Sequence, residues 1–125
     1  MAEFSKQIAL TFLTDEDLSS SAYRCVAMGT DALVGITTST TVPPMGILTD
    51  NVADGSSSNA AVSVAISGVA KVEAGAVIAS GVAVMPATGG KVITATSGNI
   101  AIGIATVASL ADGNIITVII DRYEV

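Results

Sequence analysis

The sequence predicts an all-β domain, a compact antiparallel barrel or sandwich, and three observations support this fold class. Half of the 125 residues are hydrophobic but only 3% are aromatic, so Val, Ile, Leu and Ala must build the core. The β-branched members of that set favour a pleated, half-buried surface. Apolar residues occur in strand-length runs, and Gly, Pro, Asn and Asp separate these runs at short intervals. Without a sustained helical period, this pattern indicates strands rather than βαβ units.

Residues 1–21 are predicted to form an N-terminal arm, distinct from a single β domain at residues 22–125. In the strand Lys6–Leu13, every second residue is large and apolar, which gives one apolar face: Ile8, Leu10 and Phe12. Thr14 and the three acidic residues after it can cap a single helical turn, and the serines at 19–21 indicate a hinge. The alternative is that this segment is an ordinary first strand of the domain.

Turn residues divide the rest of the chain into further strands. The predicted strands are Tyr23–Met28, Leu33–Thr38, Met45–Thr49, Ala60–Ile66, Val69–Glu73, Ala76–Met85, Lys91–Thr94, Ile100–Ala108 and Asn114–Asp121.

Two segments of the body resemble each other. One starts with Gly-Ile-Leu-Thr at residue 46 and the other with Gly-Ile-Ala-Thr at residue 103. Each continues through Ala-Asp-Gly into a second apolar strand, which is the pattern of a β-hairpin. The similarity indicates either an internal duplication or the same hairpin chemistry used twice.

The charge balance argues against nucleic acid and membrane as partners. The net charge is −6, and the five basic residues are scattered along the chain, whereas nucleic-acid binding requires clustered Lys and Arg. The longest uncharged stretches contain Thr, Ser, Asn and Gly, so they do not resemble a transmembrane helix.

No catalytic or metal-binding pattern is found in the sequence. The chain has no histidine and one cysteine, so a Ser-His-Asp triad, a Cys-His pair and a structural zinc site cannot be assembled. Cys25 lies in a predicted strand, and we expect it to be a small buried apolar residue. We therefore expect no enzyme, no cofactor and no metal.

A six-residue run near the C-terminus is strongly β-prone and carries no charge or proline. Exposed at a sheet edge, such a run would promote aggregation, so it must be a central strand or lie at a subunit interface. The candidate core or interface residues in it are Ile115, Ile116, Val118, Ile119 and Ile120.

The order and spacing of the body's motifs resemble a known family. The matching segments are Tyr23–Val26, Met45–Leu48, Val62–Val72, Ala74–Ile78, Gly81–Val84, Gly89–Lys91, Ile102–Ala105 and Gly113–Val118. Together they resemble the capsid cement, or head decoration, proteins of tailed bacteriophages. The first 21 residues lie outside this resemblance.

The resemblance implies a β-tulip-like body with an N-terminal arm, usually assembled as a homotrimer. Such proteins are made in the host cytoplasm and bind the outer surface of the virion capsid at threefold and quasi-threefold positions. There they bridge neighbouring major capsid proteins and stabilise the shell, without a cofactor or catalytic residues. Strand addition by the arm then makes Ile8, Leu10 and Phe12 the candidates for capsid contact.

An alternative from another functional class is a small carrier or binding module of the biotinyl or lipoyl type. Lys71 precedes an Ala-Gly turn and is the residue that would be modified. It is flanked by Ala and Val, whereas carrier domains place their lysine in a Met-Lys-Met-type hairpin tip.

Overall fold

In a computed structural model, the described residues are 7–14, 21–29, 33–37, 43–49 and 60–125, and they form one curled, nine-stranded antiparallel sheet. The strands are β1 (Gln7–Thr14), β2 (Cys25–Met28), β3 (Val34–Ile36), β4 (Gly46–Leu48), β5 (Ala60–Glu73), β6 (Ala83–Pro86), β7 (Val92–Thr94), β8 (Ile100–Ala105) and β9 (Ile115–Glu124). The prediction of an all-β fold is confirmed. Within these ranges, no helix has the length and apolarity needed to cross a bilayer.

The long strand β5 organises the sheet. The strand order is β3-β2-β4-β5-β9-β8-β6-β7, and β1 also pairs with β5. Because β4 occupies the opposite edge, β1 and β9 share one edge of β5. There β1 pairs with residues 60–68 and β9 pairs with residues 68–73. The partner strand therefore changes from β1 to β9 at Gly68, whose φ of 90° marks a local irregularity.

Each half of the sheet closes on itself, so the described residues form two five-stranded barrels. Barrel one consists of β1, β5, β4, β2 and β3, and a bridge between Leu13 and Leu33 closes it. Barrel two consists of β5, β9, β8, β6 and β7, and a bridge between Ala74 and Val92 closes it. Strand β5 belongs to both barrels.

The wall between the barrels is apolar on both faces. Residues of β2, β4 and β5 alternate between two cores. Val26, Leu48 and Val64 pack inside barrel one, whereas the residues beside them pack in the cluster that fills barrel two: Cys25, Ile47 and Ala65. Strands buried on both faces have continuous apolar sequences, which explains runs such as Gly46–Leu48.

The two barrels are structural repeats of each other. The backbone N–H of Thr49 and its hydroxyl both donate to the carbonyl oxygen of Ser63, at 3.1 and 3.4 Å. At the matching place in barrel two, Thr106 makes the same two bonds to the carbonyl oxygen of Thr117, at 2.9 and 3.0 Å. The two similar sequence segments are therefore equivalent hairpins, β4–β5 and β8–β9.

The equivalence extends to the strands that precede these hairpins. Val26 of β2 pairs with Gly46, and Val84 of β6 pairs with Gly103. Strand β3 lies beside β2 as β7 lies beside β6. The repeat thus covers whole barrels, which favours internal duplication over an isolated reuse of one hairpin.

Two predicted strand boundaries are wrong. Ala60–Ile66 and Val69–Glu73 are one continuous strand, because Gly68 forms an irregularity inside β5 rather than a turn. The predicted strand Ala76–Met85 is a loop as far as residue 82. Ile78 contributes to the apolar sequence of this loop. Its side chain is buried, and its backbone forms an isolated bridge with Ser109.

The other predicted strands are present within a few residues of their predicted ends. The Gly89-Gly90 turn connects β6 to β7 within a 3-10 turn at Thr88–Gly90, and Asp112-Gly113 lies between β8 and β9. The predicted helical turn after Thr14 and the first Asp-Gly turn, at residues 54–55, lie outside the described residues.

Cys25 should react slowly with thiol reagents in the folded protein. Its side chain is fully buried, as predicted, and burial raises its pKa from 9.0 to about 12. At pH 8 we expect labelling of the native thiol to be about 100-fold slower or more than labelling in denaturant. Since the raised pKa favours the protonated form, the associated stability is complete below pH 9 and is lost as the pH rises toward 12. Equal labelling rates would contradict the buried position.

Equivalent glycines at the two hairpins should be equally intolerant of a side chain. A Cβ atom on Gly46 would lie 2.4 Å from the carbonyl oxygen of Ala65, and one on Gly103 would lie 2.1 Å from that of Ile119. We expect Gly46→Ala and Gly103→Ala each to lower the free energy of unfolding by about 2–3 kcal/mol.

The control is Gly113→Ala, where φ is 96° and no atom lies within 4 Å of the added Cβ atom. Only the left-handed backbone opposes this substitution, and we expect it to cost about 1 kcal/mol. Chemical denaturation measures all three variants. A Gly103→Ala protein as stable as Gly113→Ala would contradict the close strand packing.

Candidate interaction surfaces

The predicted arm residues lie on β1, which pairs with β5 of the same chain along all eight of its residues. Phe12 is partly buried and packs against the core of barrel one. Ile8 and Leu10 remain 53% and 47% exposed. The structure therefore separates the three predicted contact residues into one anchor, Phe12, and two side chains that are available to a partner.

The predicted interface run lies in β9, a central strand between β5 and β8. Its residues alternate between the two faces of the sheet. Ile116 and Val118 are buried in the core of barrel two, whereas Ile115 and Ile119 are about half exposed and Ile120 is partly buried.

Ile119 belongs to an apolar row that crosses three strands on the outer face of barrel two. It pairs with Val69 on one side and with Ile104 on the other, and Ile104 pairs with Ala83. Cross-strand partners share a face of the sheet, so these side chains form one surface. We call Ala83, Ile104 and Ile119 the outer row of barrel two.

The equivalent row of barrel one is covered. Its members are Cys25, Ile47 and Ala65, which pair across β2, β4 and β5 and are all buried. The β6–β7 turn lies nearby and contacts the segment before β2, where Arg24 donates to the carbonyl oxygen of Gly89 at 3.3 Å. The same structural feature is thus buried within the chain in one barrel and partly exposed in the other.

A second apolar surface was missed by the sequence prediction. Val77 and Leu110, in the loops before β6 and after β8, are 70% and 79% exposed. Buried Ser109 lies between these loops, because its hydroxyl oxygen is 2.9 Å from the carbonyl oxygens of both Ala76 and Ala111, which share its one donated hydrogen. The pairing of Ile78 with Ser109, which is not apparent from the sequence, contributes to holding the two loops together.

A charged cluster joins the two barrels. The carboxylate of Glu73, at the end of β5, accepts a hydrogen bond from Arg24 Nε at 3.2 Å and lies 3.5 Å from Lys91 Nζ. Lys91 also contacts Asp112 at 3.0 Å. The hydrogen bond from Lys91 to Asp112 is the main reason that the pKa of Lys91 is raised. This cluster connects β5 to the segment before β2, to the β6–β7 turn and to the β8–β9 turn.

Lys71, the candidate for a carrier modification, lies within β5 and pairs with Thr117 of β9. It is exposed, but it is not at a hairpin tip, which is where carrier domains present their lysine. Among the residues that the structure describes, no group of three or more Cys, Asp or Glu side chains could hold a metal ion.

Removing the central carboxylate of the cluster should destabilise the protein more than removing the peripheral one. Glu73 is 18% exposed and contacts two cations, whereas Asp112 is 67% exposed and contacts one. We expect Glu73→Gln to lower the free energy of unfolding by about 1 kcal/mol, and Asp112→Asn to change it by less than about 0.5 kcal/mol. Denaturation at low salt and at 1 M salt measures both. Equal effects of the two substitutions would contradict the central role of Glu73.

Comparison with solved structures relates this architecture to a phage protein. The fold is similar to that of the head fiber gp8.5 N base of bacteriophage phi29, with a TM-score of 0.69 and 18% sequence identity. The match covers 96% of this chain and 98% of that one, so the shared fold includes both barrels. No protein-family model matches the sequence. A search of curated proteins also finds no match.

Proposed function

We propose that this chain is a non-enzymatic structural protein of a tailed-phage virion. It binds the outer surface of the capsid and stabilises the shell by bridging neighbouring major capsid proteins. The observation that carries this proposal is the likeness, over nearly the full length of both chains, to the base of a phage head fiber. The resemblance of the sequence motifs to capsid cement proteins supports it independently of the fold.

The bridging role requires a body that transmits force without unfolding locally. The wall of β2, β4 and β5 is buried on both faces, and the charged cluster around Glu73 connects the two barrels. These features suit a protein that is held between larger subunits, because a load on one barrel passes directly to the other.

Residues 1–21 are the proposed attachment segment. Phe12 anchors β1 to barrel one, while the exposed Ile8 and Leu10 are available for the capsid surface. Burying the exposed part of two such side chains contributes about 1 kcal/mol each, so together they contribute about 30-fold in affinity. In this proposal the exposed side chains of β1 contact the capsid, and pairing with β5 fixes their position.

The proposed oligomer is a homotrimer built through the outer row of barrel two. Within one chain, the equivalent row of barrel one is buried at the junction of the two barrels. A second copy whose barrel one packs on Ala83, Ile104 and Ile119 would bury this row in the same way. Such a contact joins different surfaces of the two copies, and it forms a closed ring when the rotation between copies is suitable.

Capsid binding should depend on the exposed residues of β1. We expect Ile8→Ser/Leu10→Ser to weaken binding to expanded shells of the parent phage by about tenfold or more, because both side chains lose their apolar contacts. Co-sedimentation with purified shells that lack the protein measures the affinity, and electron microscopy locates the bound copies.

The matched control is Val77→Ser/Leu110→Ser, which also removes two exposed apolar side chains but on the loops of barrel two. We expect the control to bind as the unmodified protein does. Equal loss in both variants would contradict attachment through β1, and no binding of the unmodified protein to the shells would contradict the proposed function.

Trimerisation should depend on the outer row of barrel two. The monomer has a mass of 12.4 kDa, and we expect light scattering to give three times this value. Ile119→Asp should reduce the mass to that of the monomer, because it places a charge in the proposed contact.

Val107→Asp is the control, since Val107 has almost the same exposure, 47% against 48%, but lies outside the row. A thermal melt of each variant establishes that it is folded. A folded Ile119→Asp protein that stays trimeric would contradict this interface.

A further inference from the structure

A cavity of about 380 Å³ opens over β5 where the two barrels meet. Buried apolar residues contribute its floor, chiefly Leu48, Ala65 and Ala70. Its wall carries polar residues from five segments of the chain, among them Tyr23, Lys71 and Thr117. The volume of the cavity lies at the lower end of the range for small-ligand sites. Such sites typically have a few polar groups around an apolar surface.

One wall of the cavity retains an unfavourable backbone conformation. Tyr23 has a φ of 67°, a region that residues other than glycine rarely adopt. Its N–H bonds to the carbonyl oxygen of Leu48 at 3.0 Å, and in barrel two Gly81 makes the equivalent bond to Ala105 at 2.7 Å with a φ of 83°. The fold therefore needs only a residue that adopts a positive φ at this position, and glycine does so without strain. The phenol ring of Tyr23 adds a side chain to the cavity that the repeat does not require, and strained residues of this kind cluster at functional sites.

The floor also departs from the repeat. Ala65 pairs with Ile47 as Ile119 pairs with Ile104, so Ala65 and Ile119 are equivalent. Barrel one therefore has a small residue at the cavity floor where barrel two has a large one. Tyr23 and Ala65 are thus two positions of the cavity at which the barrels differ.

Lys71 supplies the positive charge of the cavity. Among the described residues, its amine has no ion pair or hydrogen bond, whereas Arg24, Lys91 and Arg122 each have a partner. Within the part of the chain that the structure describes, no carboxylate lines the cavity. Among the described residues, the site therefore offers one cation without a charged partner, beside hydroxyl groups, in a chain whose net charge is −6.

We propose that this cavity binds the side chain of a glutamate from a partner protein. A carboxylate carries a single negative charge that matches Lys71, whereas a dianion such as phosphate would add a second negative charge to an acidic protein. The methylene groups of glutamate cover the apolar floor while the carboxylate reaches Lys71 and the hydroxyl groups. This interaction is independent of capsid binding, since it requires only the folded chain.

The test measures chemical-shift changes of the isolated ¹⁵N-labelled protein with a capped Gly-Glu-Gly peptide, with its Gly-Gln-Gly counterpart, with acetate and with inorganic phosphate. We expect shifts at Tyr23, Lys71 and Thr117, with the Glu peptide binding at least about threefold more tightly than each of the other three probes. Stronger or equal binding of phosphate or of the Gln peptide would overturn the proposal. Equal binding of acetate would overturn the assignment to a protein side chain.

Two variants and a control separate recognition from stability. Lys71→Gln should lower the affinity for the Glu peptide about three- to tenfold and remove its preference over the Gln peptide. Tyr23→Gly installs the residue that barrel two carries at this position, so we expect it to remain folded while it weakens binding. Lys91→Gln removes the same charge outside the cavity and should leave binding unchanged. Unchanged binding in Lys71→Gln, or an equal loss in Lys91→Gln, would overturn the proposal.

Discussion

The sharing of β5 between two barrels is the constraint on which the rest of the structure depends. One strand of 14 residues pairs with β1 and β4 in its first half and with β9 in its second half. Its residues must therefore satisfy two cores, which is why β5, β2 and β4 contain little except small and β-branched apolar residues. Gly68 allows the change of partner strand on one edge, and Gly46 and Gly103 allow the hairpin backbones to approach closely.

This arrangement accounts for the differences between two otherwise equivalent barrels. Barrel one has its outer row at the junction, so that row is buried, and the cavity lined by Ala65 and Tyr23 lies there. Barrel two has its outer row on the surface, where Ile104 and Ile119 are partly exposed. The proposed trimer and the proposed glutamate site both follow from this asymmetry. A duplicated fold that had evolved for stability alone would need neither an exposed apolar row nor a strained tyrosine.

Much of the fold could be predicted from the sequence, because the alternation of apolar and polar residues indicates strands and clusters of Gly, Pro, Asn and Asp indicate turns. The pairing of strands depends on residues far apart in the chain, and there the prediction failed in identifiable ways. Gly68 resembles a turn residue, yet β1 and β9 hold β5 extended through it. Ile78 is apolar as a strand residue would be, but a single bridge buries it in a loop.

The interaction surfaces were less predictable than the strands. The alternation in β1 predicted one apolar face for Ile8, Leu10 and Phe12, but only the structure shows that Phe12 packs on the core while the other two are exposed. In β9, the two-residue period places Ile116 and Ile119 on opposite faces of the sheet. It does not say which of the two faces is buried. The cavity was not predictable, because it requires comparison of equivalent positions in the two barrels.

The most direct measurement of the shared strand is native-state hydrogen exchange at equivalent amides. Leu48 in barrel one and Ala105 in barrel two make matching backbone hydrogen bonds, at 2.8 and 2.9 Å. If β5 joins the barrels into one cooperative unit, both amides exchange through the same global unfolding and give the same free energy of opening. Ile47→Ala, in the wall between the barrels, should then lower both values by the same amount. Exchange of one amide through a separate, less costly opening while the other stays protected would contradict the shared strand as the basis of the structure.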